Sequence, residues 1–348
     1  MRTIVWNEKQ KSVEIIDQNA LPLEYKTVNL LTYQDVVFAI QHMTVRGAPA
    51  IGVTGAYGMA LAAMHSTKTD LDAMKAELHQ VAQEIGNARP TAVNLWNLIN
   101  HTLAYINQFD GHVDKLKDHL LNLAHRLAEE DVETNVRLSK YGAELINDGD
   151  HIVHHCNTGA LATVDYGTAL GVIRMAHEQG KKIHVYVDET RPRLQGARLT
   201  AWELKQYGIP YDIITDSSSG HLMQMGLVDK VFFGADRVAM NGDVANKIGS
   251  YMLALAAVDN KIPVYSVFPV STVDAEISSG KEIEIEQRDS REVLDITLGK
   301  EIVVPSGATA VNYAFDVTPN RLLTGLVTEH GVLYPPFFEK LDKIIREE

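Results

Sequence analysis

The chain has 348 residues, enough for about two domains and a sizeable core. Apolar residues make up 45% and charged residues 22%, a globular composition that excludes long disorder and fibrous repeats. Thirty-two Lys and Arg against 45 Asp and Glu give a net charge of −13, which argues against a nucleic-acid or anionic-membrane partner because such binding needs clustered cations. One cysteine permits neither an intrachain disulfide nor a thiolate-rich zinc site. The opening MRTIVWNEKQKSVEII has no apolar signal-peptide core, so a soluble cytoplasmic protein is expected.

In chain order, the first dozen residues and the stretch Asp17–Leu31 read as short strands and turns. From Tyr33 to about Ile146 apolar residues recur at spacings of three and four, which predicts a series of packed helices. One of them, Gly47–Met64, is uncharged for 18 residues, near the lower limit for a membrane span. Its Pro49 and its glycines at 47, 52, 55 and 58 favour a buried helix with close neighbours. After Gly149 short β-rich runs alternate with helical stretches: HIVHHC (151–156), KIHVYVD (182–188), YDIITD (211–216), KVFFGAD (230–236) and IPVYSVFP (262–269). That rhythm is the signature of βαβ units and a parallel sheet. The expected fold class is α/β. Residues 1–128 form a mainly helical N-terminal domain with short strands, and residues 129–348 a Rossmann-like α/β catalytic domain.

Open parallel sheets bind ligands beyond the carboxyl ends of their strands. There the sequence puts Cys156, Asp188, Asp216 and Asp236, one thiol and three carboxylates facing a common crevice. Cys156, in HCNTGALAT (155–163), reads equally as a reactive thiol and as a small buried hydrophobe. His154, His155 and Cys156 alternate faces of a strand and cannot share one ion, so no metal site is expected. Asp236 ends an apolar strand in GAD (234–236), suited to general acid–base work or to a turn. In NGDVANKIG (241–249) a helix is predicted whose first turn carries Asn246 and Lys247 toward an anion; a solvated helix lysine is the plainer alternative. RGAPAIG (46–52) places Arg46 before a helix start, where free amides suit a phosphate. In DETRPRLQGARLT (188–200), Arg191, Arg193, Gln195 and Arg198 make either a second anion or sugar contact or a salt-bridged subunit interface. The absence of GxGxxG and of a P-loop leaves a nucleotide cofactor unsupported.

In this order the motifs RGAPAIG, RPTAVNL (89–95), HCNTGALAT, YGTALGVI (166–173), DETRPRLQGARLTAWEL (188–204), GADR (234–237), NGDVANKIG and FDVTP (315–319) resemble the methylthioribose-1-phosphate isomerases, sugar-phosphate isomerases of methionine salvage. The resemblance runs nearly end to end. Regulatory subunits of the exchange factor for a eukaryotic initiation factor share the fold. The resemblance implies substrate contacts at Arg46, Gly47, Ala48, Arg89, Gln195, Asn246 and Lys247, and a catalytic pair at Cys156 and Asp236. It also implies a homodimer. DSSSG after Thr215 stands where the family usually has a sequence like DNMAG, and Tyr313 where it usually has Pro. The expected substrate is a furanose 1-phosphate, with Asp236, kept protonated by desolvation, donating toward the ring oxygen. A proton or a hydride then moves from C2 to C1, with Cys156 as the base or a transition-state stabiliser. No metal or cofactor is expected, since the isomerisation is redox-neutral. The alternatives are an isomerase of 5-deoxyribose 1-phosphate or ribose 1,5-bisphosphate, a non-catalytic sugar-phosphate-binding regulatory subunit, and an NAD-dependent oxidoreductase without the usual glycine fingerprint.

Overall fold

The structure is a computed structural model that describes residues 1–90 and 92–347. Thr91, inside the RPTAVNL motif, lies outside the described residues. The chain forms two compact units, Met1–Lys140 with Thr158–Val172, and Tyr141–Asn157 with Ile173–Glu348. The first unit therefore extends beyond residue 128 and takes in a later segment as well.

The first unit begins with an antiparallel sheet of β1 (Ile4–Asn7), β2 (Ser12–Ile16) and β3 (Thr27–Leu30), with β2 in the middle. Helices α1 (Tyr33–Gln41), α2 (Ala48–His65), α3 (Leu71–Gly86), α4 (Val93–Gln108) and α5 (Val113–Ala143) follow. Their starts are local in origin. Thr32 and Asp35 close a capping box on α1, and the Asp70 side chain caps α3. Every residue of α2 from Ala50 to Ala63 is buried, the all-round apolar surface of a central helix. Small residues make this possible: a Cβ on Gly55 would lie 2.7 Å from Leu95, and one on Gly52 2.9 Å from the Asn94 carbonyl oxygen. The stretch that resembled a membrane span is thus a packed core helix, and no described helix is long and apolar enough to cross a membrane.

In the second unit, β4 (His151–His155), α6 (Ala169–Glu178, whose last turns belong here), β5 (His184–Asp188), α7 (Ala201–Tyr207), β6 (Tyr211–Ile214), α8 (Ser219–Gln224) and β7 (Lys230–Phe233) alternate as the sequence predicts. There follow β8 (Arg237–Ala239), β9 (Val244–Lys247), α9 (Ser250–Asp259), β10 (Val264–Val267), β11 (Val273–Asp274), α10 (Arg291–Leu294), β12 (Thr297–Leu298), β13 (Glu301–Ile302), β14 (Phe315–Thr318), β15 (Gly325–Thr328), β16 (Gly331–Leu333) and α11 (Phe338–Glu347). The main sheet has the order β16-β15-β10-β7-β4-β5-β6 and is parallel except at β16. All four residues of β7 and of β10 are buried, as strands covered on both faces must be. Phe232, Phe233 and Phe268 are fully buried, each contributing about 2–3 kcal/mol. A second sheet, β11-β8-β9-β14, carries part of the chain that the sequence reads as helix.

The segment 243–249 is not the start of a helix: Asn246 and Lys247 lie in β9, and α9 begins only at Ser250. The run DVAN pairs through its backbone with β8 and β14, and this pairing overrides the helical pattern of the apolar residues beyond it.

A candidate active site at the strand ends

The chain runs β4, β5, β6 toward one edge of the main sheet, then returns to place β7 on the other side of β4. This reversal is the topological switch point, where parallel sheets open a crevice at their carboxyl ends. The two strands that flank it are β4 and β7, paired with His155 opposite Phe233. The residues that continue them are Cys156 and the Gly234–Asp236 turn. Strand register thus brings the sole thiol and the Asp236 carboxyl to neighbouring strand ends.

Register also fixes what lies beside Asp236. Its N–H donates to the Ala245 carbonyl at 2.9 Å, and Arg237 pairs with Ala245 across the β8–β9 hairpin. Asn246 therefore sits level with Asp236, and β14 backs it with Asp316 opposite Asn246 and Phe315 opposite Lys247. Asn246 is buried and donates to Ser250 Oγ at 2.8 Å. Lys247 is only 5% exposed, not the solvated lysine of the alternative reading. Its Nζ donates to the Ala314 carbonyl at 2.9 Å and stands 4.1 Å from the centre of the Phe315 ring. Asp316 accepts from the Gly249 and Tyr251 amides at 2.7 and 3.1 Å and so caps α9. Burial raises its pKa, against those two bonds. FDVTP is thus a capping strand.

The loop after β5 brings Gln195, 6% exposed, with no hydrogen-bond partner for its buried Oε1. An acceptor left this way costs about 1–3 kcal/mol, and a ligand hydroxyl or amine would repay it. The loop's arginines do other work: Arg191 donates to the Pro192 and Val293 carbonyls, Arg193 pairs with Glu292 at 3.1 Å, and Arg198 reaches the Arg193 carbonyl. Arg191 and Arg193 tie the loop to α10 within this chain.

Two of the three expected crevice carboxylates prove structural. Asp188, the last residue of β5 and 1% exposed, binds His155 Nδ1 at 2.8 Å through Oδ2 and accepts from Ser219 through Oδ1. Asp216 accepts from the Thr190 and Arg191 amides, both at 2.7 Å. His155 Nε2 donates to the Ile248 carbonyl at 2.9 Å. With an acceptor at each nitrogen the ring is held as an imidazolium: burial opposes the charge, but the Asp188 bond and carboxylate raise its pKa. His155, Asp188 and Asp216 also form a group with donor atoms within 4.8 Å of one another. Protein hydrogen bonds already occupy that set. Local pattern carries no signal for His155 beyond its place beside Cys156, and its two partners are 33 and 93 residues away.

In the first unit Gly47 is the N-cap of α2 at φ +97°, and a Cβ there would sit 2.4 Å from the Ala162 carbonyl oxygen. That close approach sets RGAPAIG against the Ala160–Ala162 turn of HCNTGALAT. Gln18 fastens the same junction, accepting from Arg46 Nε at 3.2 Å and donating to the Leu161 carbonyl at 2.6 Å. Ala48 opens α2, and Arg89, half-buried, follows α3. These four site residues belong to the first unit; Cys156, Gln195, Asp236, Asn246 and Lys247 belong to the second.

Such a fold, with a thiol and a carboxyl at adjoining strand ends and an unsatisfied buried acceptor on the loop after β5, defines an α/β protein whose strand ends carry groups suited to a small polar ligand. Residues 44–335 match the Initiation factor 2 subunit family. The methylthioribose-1-phosphate isomerase of Desulforamulus reducens is 47% identical over 99% of both chains. The crystal structure of 5-methylthioribose 1-phosphate isomerase from Pyrococcus horikoshii OT3 superposes with a TM-score of 0.92 at 42% identity, covering 100% of this chain and 96% of that one. A structure named as translation initiation factor eIF-2B, subunit delta, from A. fulgidus matches with a TM-score of 0.87 and 43% identity over 99% of both chains. The chain belongs to the Initiation factor 2 subunit family and, within it, to the methylthioribose-1-phosphate isomerases.

Proposed function

We propose that this chain is an aldose–ketose isomerase that converts 5-methylthioribose 1-phosphate to 5-methylthioribulose 1-phosphate in methionine salvage. The observation that carries the reading is the strand order: Cys156 and Asp236 continue the two strands that flank the switch point of the parallel sheet. Cys156 and Asp236 are the catalytic pair. Arg46, Gly47, Ala48, Arg89 and Lys247 bind the phosphate, and Gln195 and Asn246 take hydroxyls or phosphate oxygens.

The chemistry begins with a closed ring whose anomeric carbon bears the phosphate. Asp236 protonates the ring oxygen as the C1–O bond breaks. Cys156 takes the C2 hydrogen as a proton, and a proton returns to C1. Loss of the C2 hydroxyl proton as the ketone forms balances the one placed on the former ring oxygen. No net oxidation occurs, so no cofactor or metal is required. The same reading makes the protein a cytoplasmic homodimer with a small-molecule sugar phosphate as its substrate and no nucleic-acid or membrane partner.

Relative turnover of 5-methylthioribose 1-phosphate, 5-deoxyribose 1-phosphate and ribose 1,5-bisphosphate tests the substrate assignment. A clear preference for the methylthio sugar supports it, and preference for either of the others replaces it. The likeness to the A. fulgidus structure favours one second reading, a non-catalytic sugar-phosphate-binding subunit. Binding of all three sugars without turnover would be its signature.

A further inference from the structure

Cys156 has a left-handed backbone, φ +67°, a strained conformation for a non-glycine residue that persists only where its surroundings enforce it. The enforcing groups are two fully buried threonine hydroxyls. The Cys156 N–H donates to Thr190 Oγ1 at 2.9 Å, and the Thr190 hydroxyl passes its own proton on to the Asp188 carbonyl, also at 2.9 Å. On the other side the Thr200 hydroxyl donates to the Cys156 carbonyl at 2.7 Å. Asn157 Nδ2 holds Thr200 Oγ1 at 3.1 Å and Glu203 Oε1 at 2.8 Å, so the second hydroxyl has its direction set in turn.

Both peptide groups that flank the Cys156 Cα are therefore gripped by side chains from the far side of the β5 loop. Thr190 is itself left-handed, φ +62°, and its N–H is one of the two that Asp216 accepts. A single residue thus links the ends of β4 and β5 to the carboxylate that follows β6. A side chain emerging from a left-handed Cα points differently from one on an extended strand, and the direction of Sγ depends on this grip.

We propose that Thr190 and Thr200 are positioning residues that hold Cys156 in its left-handed conformation and thereby aim its thiol at the substrate. The assignment rests on Cys156 being catalytic, as proposed above. Thr→Val keeps the shape of threonine and removes the hydroxyl, whereas Thr→Ser keeps the hydroxyl and removes only a methyl group. Thr190→Val and Thr200→Val should each lower kcat at least tenfold while KM for the sugar phosphate stays within about threefold, because the thiol and not the binding groups is displaced. Thr190→Ser and Thr200→Ser should recover most of that loss. A merely structural role predicts losses that follow melting temperature and are shared by kcat and KM.

The experiment is steady-state kinetics and thermal melting on these four variants, with Cys156→Ser alongside. If a valine variant fails to fold, the one at the other threonine reads the same residue from its other peptide group; if both fail, the serine variants decide it by keeping kcat. Valine variants that fold and keep wild-type kcat overturn the proposal, as do serine variants as slow as the valine ones. Full activity in Cys156→Ser would instead remove the catalytic reading of the cysteine, a failure distinct from that of the threonine grip.

Discussion

His155 Nδ1 stands 2.8 Å from Asp188 Oδ2, and both side chains are 1% exposed. The pair joins the tip of β4, one residue before Cys156, to the last residue of β5, and through Ile248 to the chain just beyond Lys247. One imidazolium therefore fixes three loops that carry proposed site residues. Removing the carboxylate strands a buried cation. Asp188→Asn should lower unfolding free energy by about 3–5 kcal/mol, measured by urea denaturation. A loss below about 1 kcal/mol would mean that the ring is neutral. The sign of the pH dependence follows from the raised His155 pKa: its stabilisation is complete below about 6.5 and is lost as pH rises through the raised value.

The neighbouring histidine behaves oppositely. His154 is fully buried; burial, aided by the nearby His155 charge, pushes its imidazole down to about 3, against a hydrogen bond to the Phe232 carbonyl. Its contribution is complete above about 6.5 and declines as pH falls, since only the unfolded chain takes up the proton. Between pH 7 and 5 the wild type should lose about 2 kcal/mol more unfolding free energy than His154→Asn. Equal losses in urea titrations at the two pH values would refute the neutral buried ring.

Gln195 separates binding from folding. Its Oε1 has no partner, so Gln195→Leu removes an unsatisfied acceptor and should leave the melting temperature unchanged or raise it. Substrate loses a hydrogen bond, and KM should rise roughly tenfold. A fall of several degrees in melting temperature with unchanged KM would make Gln195 a structural residue.

Asp236→Asn keeps the size of the side chain and removes the proton donor. Turnover should fall by about 10²-fold or more, while substrate still binds by calorimetry. Undiminished turnover would end the role assigned to Asp236. In D2O, proton transfer through Cys156 should place deuterium at C1 of the ketose, and its absence there would indicate a hydride shift.

The five parallel strands around β4 were legible because each is a short β-rich run between turns, and the buried α2 because its small residues leave no polar face. Strand β9 was not: Val244–Lys247 runs into the apolar α9, and it is pairing with β8 on one side and with β14, about 70 residues on, that makes it a strand. The crevice could be located but not furnished. Three carboxylates at strand ends look alike in sequence, yet Asp188 and Asp216 bind His155 and two loop amides. Those partners come from separate elements, which local pattern does not record. The left-handed turn at Cys156 was equally hidden, since no glycine marks it.

Phosphorus and proton NMR of the purified protein with 5-methylthioribose 1-phosphate follow the isomerisation itself. 5-Methylthioribulose 1-phosphate should appear with its phosphate retained at C1, and neither Cys156→Ser nor Asp236→Asn should convert the substrate. A folded wild-type protein that binds the sugar phosphate and leaves its spectrum unchanged would contradict the isomerase reading.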